Sequence, residues 1–187
     1  MNQQVSIGAL TLSNPVIAAS GTFGYGLEYE GFFDLSRLGA ICTKGLSLQP
    51  RAGNPPPRIR ETAAGLLNAI GLANFGVEAF CKDKLPRLRG LGATVVPNLF
   101  ATSIEDFVAL TKRLDREPGI SAIEVNISCP NVTQGGIAFG VDPSAAAAVT
   151  RAVRDATRHE VWVKLSPEAG HLTEVAQACE RAGANAL

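Results

Sequence analysis

The chain has 187 residues, with 17 lysines and arginines against 17 aspartates and glutamates and 46% hydrophobic content. That balance offers no basic field to hold nucleic acid or an anionic membrane surface, while the apolar content is enough for one good core. The first residues lack the positive start and apolar run of a signal peptide, and no stretch approaches the roughly 20 apolar residues of a membrane span, so the expected location is cytoplasmic.

Cys42, Cys81, Cys129 and Cys179 are scattered with no Cys-x-x-Cys spacing. This argues against zinc, against an iron–sulfur cluster on this chain and against a disulfide framework. His159 and His171 stand apart from every motif and are expected at surface or cap positions.

In chain order, Val5 to Leu12 alternates apolar and polar residues around Gly8-Ala9, the pattern of a short hairpin. Pro15 to Ala19 reads as a strand, followed by Ser20-Gly21-Thr22-Phe23-Gly24. Such a glycine-rich turn lets backbone N–H groups approach an anion or cofactor. Tyr29 to Leu38 has helical spacing, and Ala40 to Thr43 is a strand ending in Lys44-Gly45. A lysine there can meet an anion or a flavin, or form a Schiff base.

Residues 46–74 form a long, proline-broken segment, the kind that inside a compact domain usually serves function. Its second half, Gly65 to Leu72, is apolar around Asn68 and reads as a wall touching a ligand, with Arg51, Arg58 and Arg60 on a solvated rim. Val77 to Leu91 is helical, with Pro86 marking a kink or a new start. Thr94 to Pro97 is a strand that delivers Asn98, and Ile104 to Leu114 is a helix capped by Ser103.

From Ile123 to Ser128 the apolar residues Ile123, Val125 and Ile127 alternate with Glu124, Asn126 and Ser128, the period of a strand. Polar side chains on a strand destined for burial need partners, and a bound ligand is one source. Pro130 ends the strand. By itself Cys129 would pass for a small buried hydrophobe. Between Asn126 and Asn131, at a strand end and ahead of Gly135-Gly136, it reads as a functional thiol. A helix starts at Asp142-Pro143 and runs to about Thr157. Val161 to Leu165 is a strand carrying Lys164, Leu172 to Ala182 a helix capped by Gly183, and Asn185 to Leu187 opens a further strand.

Strand and helix thus alternate about five times, which implies a parallel sheet with right-handed crossovers. Ser20, Lys44, Asn98, Asn126 and Lys164 all fall at or near C-terminal strand ends. In a (β/α)8 barrel that face carries the chemistry, whereas a doubly wound sheet binds mainly at one switch point. Five contributing strands favour the barrel.

The motifs Ser20 to Gly24, Thr43-Lys44-Gly45, Gly53-Asn54-Pro55-Pro56-Pro57-Arg58, Asn68-Ala69-Ile70-Gly71-Leu72, Asn126-Ile127-Ser128-Cys129-Pro130-Asn131-Val132 and Val163 to Pro167 occur together in this order. In this they resemble class 1 dihydroorotate dehydrogenases, most of all the NAD-linked class 1B branch. Class 2 relatives have serine as the base, and the similar catalytic domain of dihydropyrimidine dehydrogenase lacks the long-loop pattern. Ala73 and Phe75 depart from the Gln and Pro expected after Gly-Leu.

The resemblance implies an FMN-dependent oxidation of dihydroorotate to orotate in pyrimidine synthesis. Cys129 would take the C5 proton while the C6 hydride passes to FMN. Lys44, Asn68, Ala69, Ile70, Gly71, Leu72, Asn126 and Asn131 would bind substrate. Ser20, Lys44, Gly45, Asn98, Asn126 and Lys164 would bind FMN, and the loop after Cys129 would close over the substrate. It also implies a homodimer core within a heterotetramer, whose electron-transfer subunit carries FAD and a 2Fe-2S cluster.

A (β/α)8 barrel takes about 250 residues. The chain therefore reads as a single barrel domain over 1–187, C-terminally incomplete, with the first five to six β/α units. Two other readings stand beside the enzyme: a non-catalytic or assembly-dependent fragment of that barrel, and a Schiff-base lyase using Lys44 or Lys164.

Overall fold

The computed structural model describes residues 3–128, 139–167 and 169–187. Val5–Ile7 (β1) and Leu10–Leu12 (β2) make the expected hairpin, with Val5 opposite Leu12 and Ile7 opposite Leu10. Ile17–Ala18 (β3) and Ala40–Cys42 (β4) pair in parallel. Between them the single helix expected over 29–38 is replaced by two 3-10 turns, Leu27–Tyr29 and Leu35–Arg37. The cause is local: the Asp34 carboxylate accepts from Ser36 N at 2.9 Å and starts a new turn, a competition that short polar side chains offer the helical ladder.

The 46–74 segment contains an antiparallel hairpin not foreseen from sequence, Ile59–Thr62 (β5) with Gly65–Asn68 (β6). All eight strand residues are exposed, so no burial pattern marks them. Gly76–Ala79 (α1) passes through a π turn at Phe80–Lys84 into Leu85–Gly90 (α2). Pro86 sits in the first turn of α2, where a missing N–H costs nothing, so it marks a new start.

Val95–Val96 (β7) and Asn98–Leu99 (β8) flank Pro97, which cannot donate to a ladder. Ile104–Leu114 (α3) is capped by Ser103, whose Oγ accepts from Asp106 N at 3.1 Å. Ala122–Asn126 (β9) is followed by Pro143–Ala156 (α4), whose Asp142 cap accepts from Ser144 N at 2.7 Å. Glu160–Lys164 (β10) precedes Leu172–Arg181 (α5). Ala186 then bridges to Trp162 in parallel.

β4 pairs β3 and β7, while β9 pairs β8 and β10, all in parallel. Because β7 and β8 are the two halves of one proline-broken strand, the strands lie side by side in chain order with no reversal. That is an arc of a barrel; a doubly wound sheet would reverse its order.

Alternation along the strands divides the core in two. Ile41, Val95, Leu99, Ile123, Val125, Val161 and Val163 pack with the helix residues Phe107, Leu110, Leu114, Val149, Val153 and Val175. The opposite row, Ala40, Cys42, Val96, Ala122 and Trp162, packs with Leu12, Ile7 and Leu10 of the first hairpin. Ala9 N of that hairpin donates to Glu160 Oε1 at 2.7 Å, which seats it against the N-terminal end of β10. The inner row is thus apolar near the hairpin and turns polar, as Asn98, Glu124, Asn126 and Lys164, toward the C-terminal strand ends.

Candidate active site

A cavity of about 470 Å³ opens at those C-terminal ends, lined by Ser20, Gly21, Lys44, Gly45, Asn54, Asn68, Ala69, Ile70, Gly71, Leu72, Ala73, Asn98, Asn126 and Lys164. Every described residue that the motifs nominate is among them. Cys129 and Asn131 lie outside the described residues. Gly21, Asn54 and Ala73 join the lining without having been assigned a binding role from the sequence.

The floor is a hydrogen-bonded network. Asn98, 1% exposed, donates through Nδ2 to Ser20 Oγ at 3.2 Å and to Glu124 Oε1. Its Oδ1 faces Asn126 Nδ2 at 3.5 Å. Lys164 Nζ donates to Ser20 Oγ at 3.2 Å, and Asn126 Oδ1 accepts from Ser128 Oγ at 2.6 Å. Thr43, fully buried, accepts from Asn98 N at 3.3 Å. A Cβ on Gly45 would lie 3.0 Å from Asn98 Oδ1, so the backbone passes close over the amide. Five strands, β3, β4, β8, β9 and β10, thus converge their polar ends on one floor.

The wall is the 69–73 segment. Ala69 N donates to Arg58 O at 2.8 Å, and Asn54 N to Ile70 O at 3.2 Å. Asn54 Nδ2 donates to Ala69 O at 3.0 Å. Arg58, a rim residue by sequence, donates to the carbonyls of Asn54 and Ala52 and so folds the proline loop behind the wall. Asn74, 7% exposed, is the hinge of this arrangement. Its Oδ1 accepts from Gly76 N at 2.8 Å and Ser47 N at 3.3 Å, and its Nδ2 donates to Leu72 O at 2.9 Å. Asn74 escapes sequence reasoning because one asparagine in a loop carries no spacing signal. Glu124 stood out as a polar residue on a strand destined for burial, but its partner Asn98 lies 26 residues away and no local pattern names it.

The described thiols are unsuited to proton abstraction. Burial raises Cys42 first, with the Glu124 carboxylate adding to it; burial likewise pushes Cys81 up to about 11 and raises Cys179. Among the described residues no group of acidic, histidine and cysteine side chains could hold a metal ion, and no helix is long and apolar enough to cross a membrane.

The family model for dihydroorotate dehydrogenase matches residues 2–187. The chain belongs to the dihydroorotate dehydrogenase family. Within the dihydroorotate dehydrogenases, it is 55% identical over 183 residues to the catalytic subunit of dihydroorotate dehydrogenase B (NAD(+)) from Trichlorobacter lovleyi, a match covering 98% of this chain and 60% of the relative. The corresponding subunit from Geobacter sulfurreducens is 54% identical over the same shares. The chain therefore spans about 60% of the length of the curated relatives it matches. A crystal structure of dihydroorotate dehydrogenase from Eimeria tenella, in complex with ferulenol, superposes with a TM-score of 0.74 at 18% identity, covering 98% of this chain and 57% of that one. This likeness concerns the fold: the arc of strands is the first part of the (β/α)8 barrel of dihydroorotate dehydrogenases.

Proposed function

We propose that this chain carries the substrate- and FMN-binding floor of a NAD-linked, class 1B dihydroorotate dehydrogenase, which oxidises dihydroorotate to orotate in pyrimidine synthesis. One observation carries the reading. One cavity at the C-terminal strand ends is lined by all the described residues that the family motifs nominate.

The residues fit FMN on the chemistry of the donor set. Asn98, Asn126, Ser20 and Lys164 meet within hydrogen-bond reach of one another, offering acceptors, a hydroxyl and a cation to a flat polar ring edge. Lys44 and Gly45 line the same space, the lysine as a point charge and the glycine as open backbone. Ser20, Lys44, Gly45, Asn98, Asn126 and Lys164 would hold the cofactor. FMN, when bound, supplies the hydride acceptor.

Lys44, Asn68, Asn126 and Asn131 would orient the substrate's carboxylate and polar edges, with Ala69 to Leu72 as the apolar wall over its ring. Cys129 is assigned as the base at C5. An unperturbed thiol titrates near 8.5, close enough to neutrality to accept a proton when oriented. The described thiols are all shifted the wrong way by burial, which supports that choice. The relatives' description as NAD(+)-linked catalytic subunits supports a cytoplasmic assembly. In it, a homodimer of catalytic chains pairs with an electron-transfer subunit carrying FAD and a 2Fe-2S cluster.

The test is a visible spectrum of the chain reconstituted with FMN, recorded before and after anaerobic dihydroorotate. A bound flavin band that bleaches is the expected result. No flavin retention at saturating FMN would overturn the reading for this chain and favour an assembly-dependent fragment, a reading that the 60% span of its relatives already motivates.

A further inference from the structure

Glu124 does not line the cavity, yet it is the one carboxylate bonded to the cavity floor among the described residues. It stands on the inner row of β9, in register with Asn98 on β8 and Trp162 on β10. We propose that Glu124 is a positioning residue that fixes the hydrogen-bond polarity of the floor. The proposal rests on the flavin and substrate reading above.

An asparagine amide has two faces, a carbonyl and an NH2, and which one meets a ligand depends on what holds the other. A carboxylate only accepts. With Glu124 taking one hydrogen of Asn98 Nδ2 and Ser20 Oγ taking the other, the NH2 is spent, and Oδ1 is turned toward Gly45 and Asn126. Ser20 Oγ in turn accepts from both Asn98 and Lys164. Its lone pairs are then engaged, and its own proton is free for the cavity.

The floor thus presents an acceptor at Asn98 beside two donors, the Ser20 hydroxyl and the Lys164 ammonium. That pattern suits a ring edge in which an N–H adjoins carbonyl oxygens. The pyrimidine portions of FMN and of dihydroorotate share this chemistry. The neighbouring Cys42 thiol is raised by burial and by the Glu124 carboxylate, so it stands beside that carboxylate as a neutral group.

The experiment compares the 187-residue chain with Glu124→Gln and with the exchange pair Glu124→Gln/Asn98→Asp. FMN and orotate are titrated separately to tell the two ligands apart, alongside the side-chain amide NMR signals of Asn98 in the ligand-free chain. Glutamine can accept or donate, so it no longer dictates the orientation of Asn98. In Glu124→Gln the Asn98 amide signals should move and broaden, and affinity for at least one ligand should fall about 10- to 100-fold, the range of a lost charge-assisted hydrogen bond. The exchange pair keeps a hydrogen bond between positions 98 and 124 but reverses its sense. It should recover thermal stability without recovering affinity.

Unchanged Asn98 signals in Glu124→Gln would overturn the proposal, as would wild-type affinity in the exchange pair. If the unaltered chain bound neither FMN nor orotate, the functional reading would fail. The amide signals would still decide the role of Glu124.

Discussion

Gly71 and Asn54 lie against each other so tightly that a Cβ on the glycine would sit 2.6 Å from the Asn54 backbone nitrogen. Gly71 also has φ of +71°, and Leu72 follows it at +57°. Two consecutive left-handed residues turn the wall over the cavity, and only the first of them is free of the side-chain penalty.

Gly71→Ala should therefore cost about 1–2 kcal/mol from conformation alone, with the clash against Asn54 added. Because the wall is a surface loop, most of that cost should appear as weaker orotate binding. Isothermal titration beside a melting curve checks this. A large fall in melting temperature with unchanged orotate affinity would contradict the assignment of 69–72 to the substrate wall.

Asn74→Ala removes the acceptor for Gly76 N and Ser47 N and the donor for Leu72 O. Of these, only Gly76 is buried, whereas Ser47 and Leu72 are half-buried. An unsatisfied buried backbone group costs about 1–3 kcal/mol and the half-buried ones less, so urea denaturation should show a loss of about 2–4 kcal/mol. Asn54→Ala breaks one exposed bond and should cost far less.

Stability should fall as the medium is acidified, and two groups set the windows. His159 is mostly buried, and burial lowers its pKa below 6.5, outweighing the attraction of Asp115 at 3.7 Å. The unfolded chain therefore binds this proton first. Stability drops as pH falls through 6.5 toward the folded value. Asp115 is held below 3.8 by its bonds to Thr157 and Arg158 and by the His159 charge, against the opposing effect of its burial. Its contribution is present above 3.8 and is lost as pH falls through the folded value. In a pH series of denaturation midpoints, His159→Asn should remove the upper step and keep a smaller lower one, since the bonds from Thr157 and Arg158 to Asp115 remain while the His159 charge is lost.

Cys129→Ser should leave flavin affinity within a factor of two while turnover near neutral pH drops about 10²- to 10⁴-fold, the usual contribution of a positioned base. Stopped-flow bleaching of the flavin by dihydroorotate measures this step directly. Wild-type bleaching rates in the variant would remove Cys129 from the base role.

A helix cap offers a control away from the cavity. Asp142→Ala deletes the side-chain acceptor for Ser144 N and Ala145 N and should cost about 1 kcal/mol with ligand binding unchanged.

Much of this protein is determined by local rules that the sequence states openly. Ser103 and Asp142 begin their helices because a short polar side chain beside an apolar period satisfies free N–H groups. Strand and helix alternate along the chain, so a parallel sheet was legible, as was the placing of Ser20, Lys44, Asn98, Asn126 and Lys164 at its C-terminal ends. The 29–38 turns and the exposed β5–β6 hairpin were not legible. The first is decided by one aspartate competing with the helix, and the second buries too little to leave a hydrophobic period.

Tertiary structure alone decided which distant polar groups meet. Glu124 and Asn98 are 26 residues apart, and Lys164 and Ser20 are 144 apart. No local pattern encodes such a pairing. It exists because parallel strands in register bring their inner rows to one level, where a buried polar group finds its partner on the neighbouring strand, as Asn98 and Glu124 do, or across the arc, as Lys164 and Ser20 do.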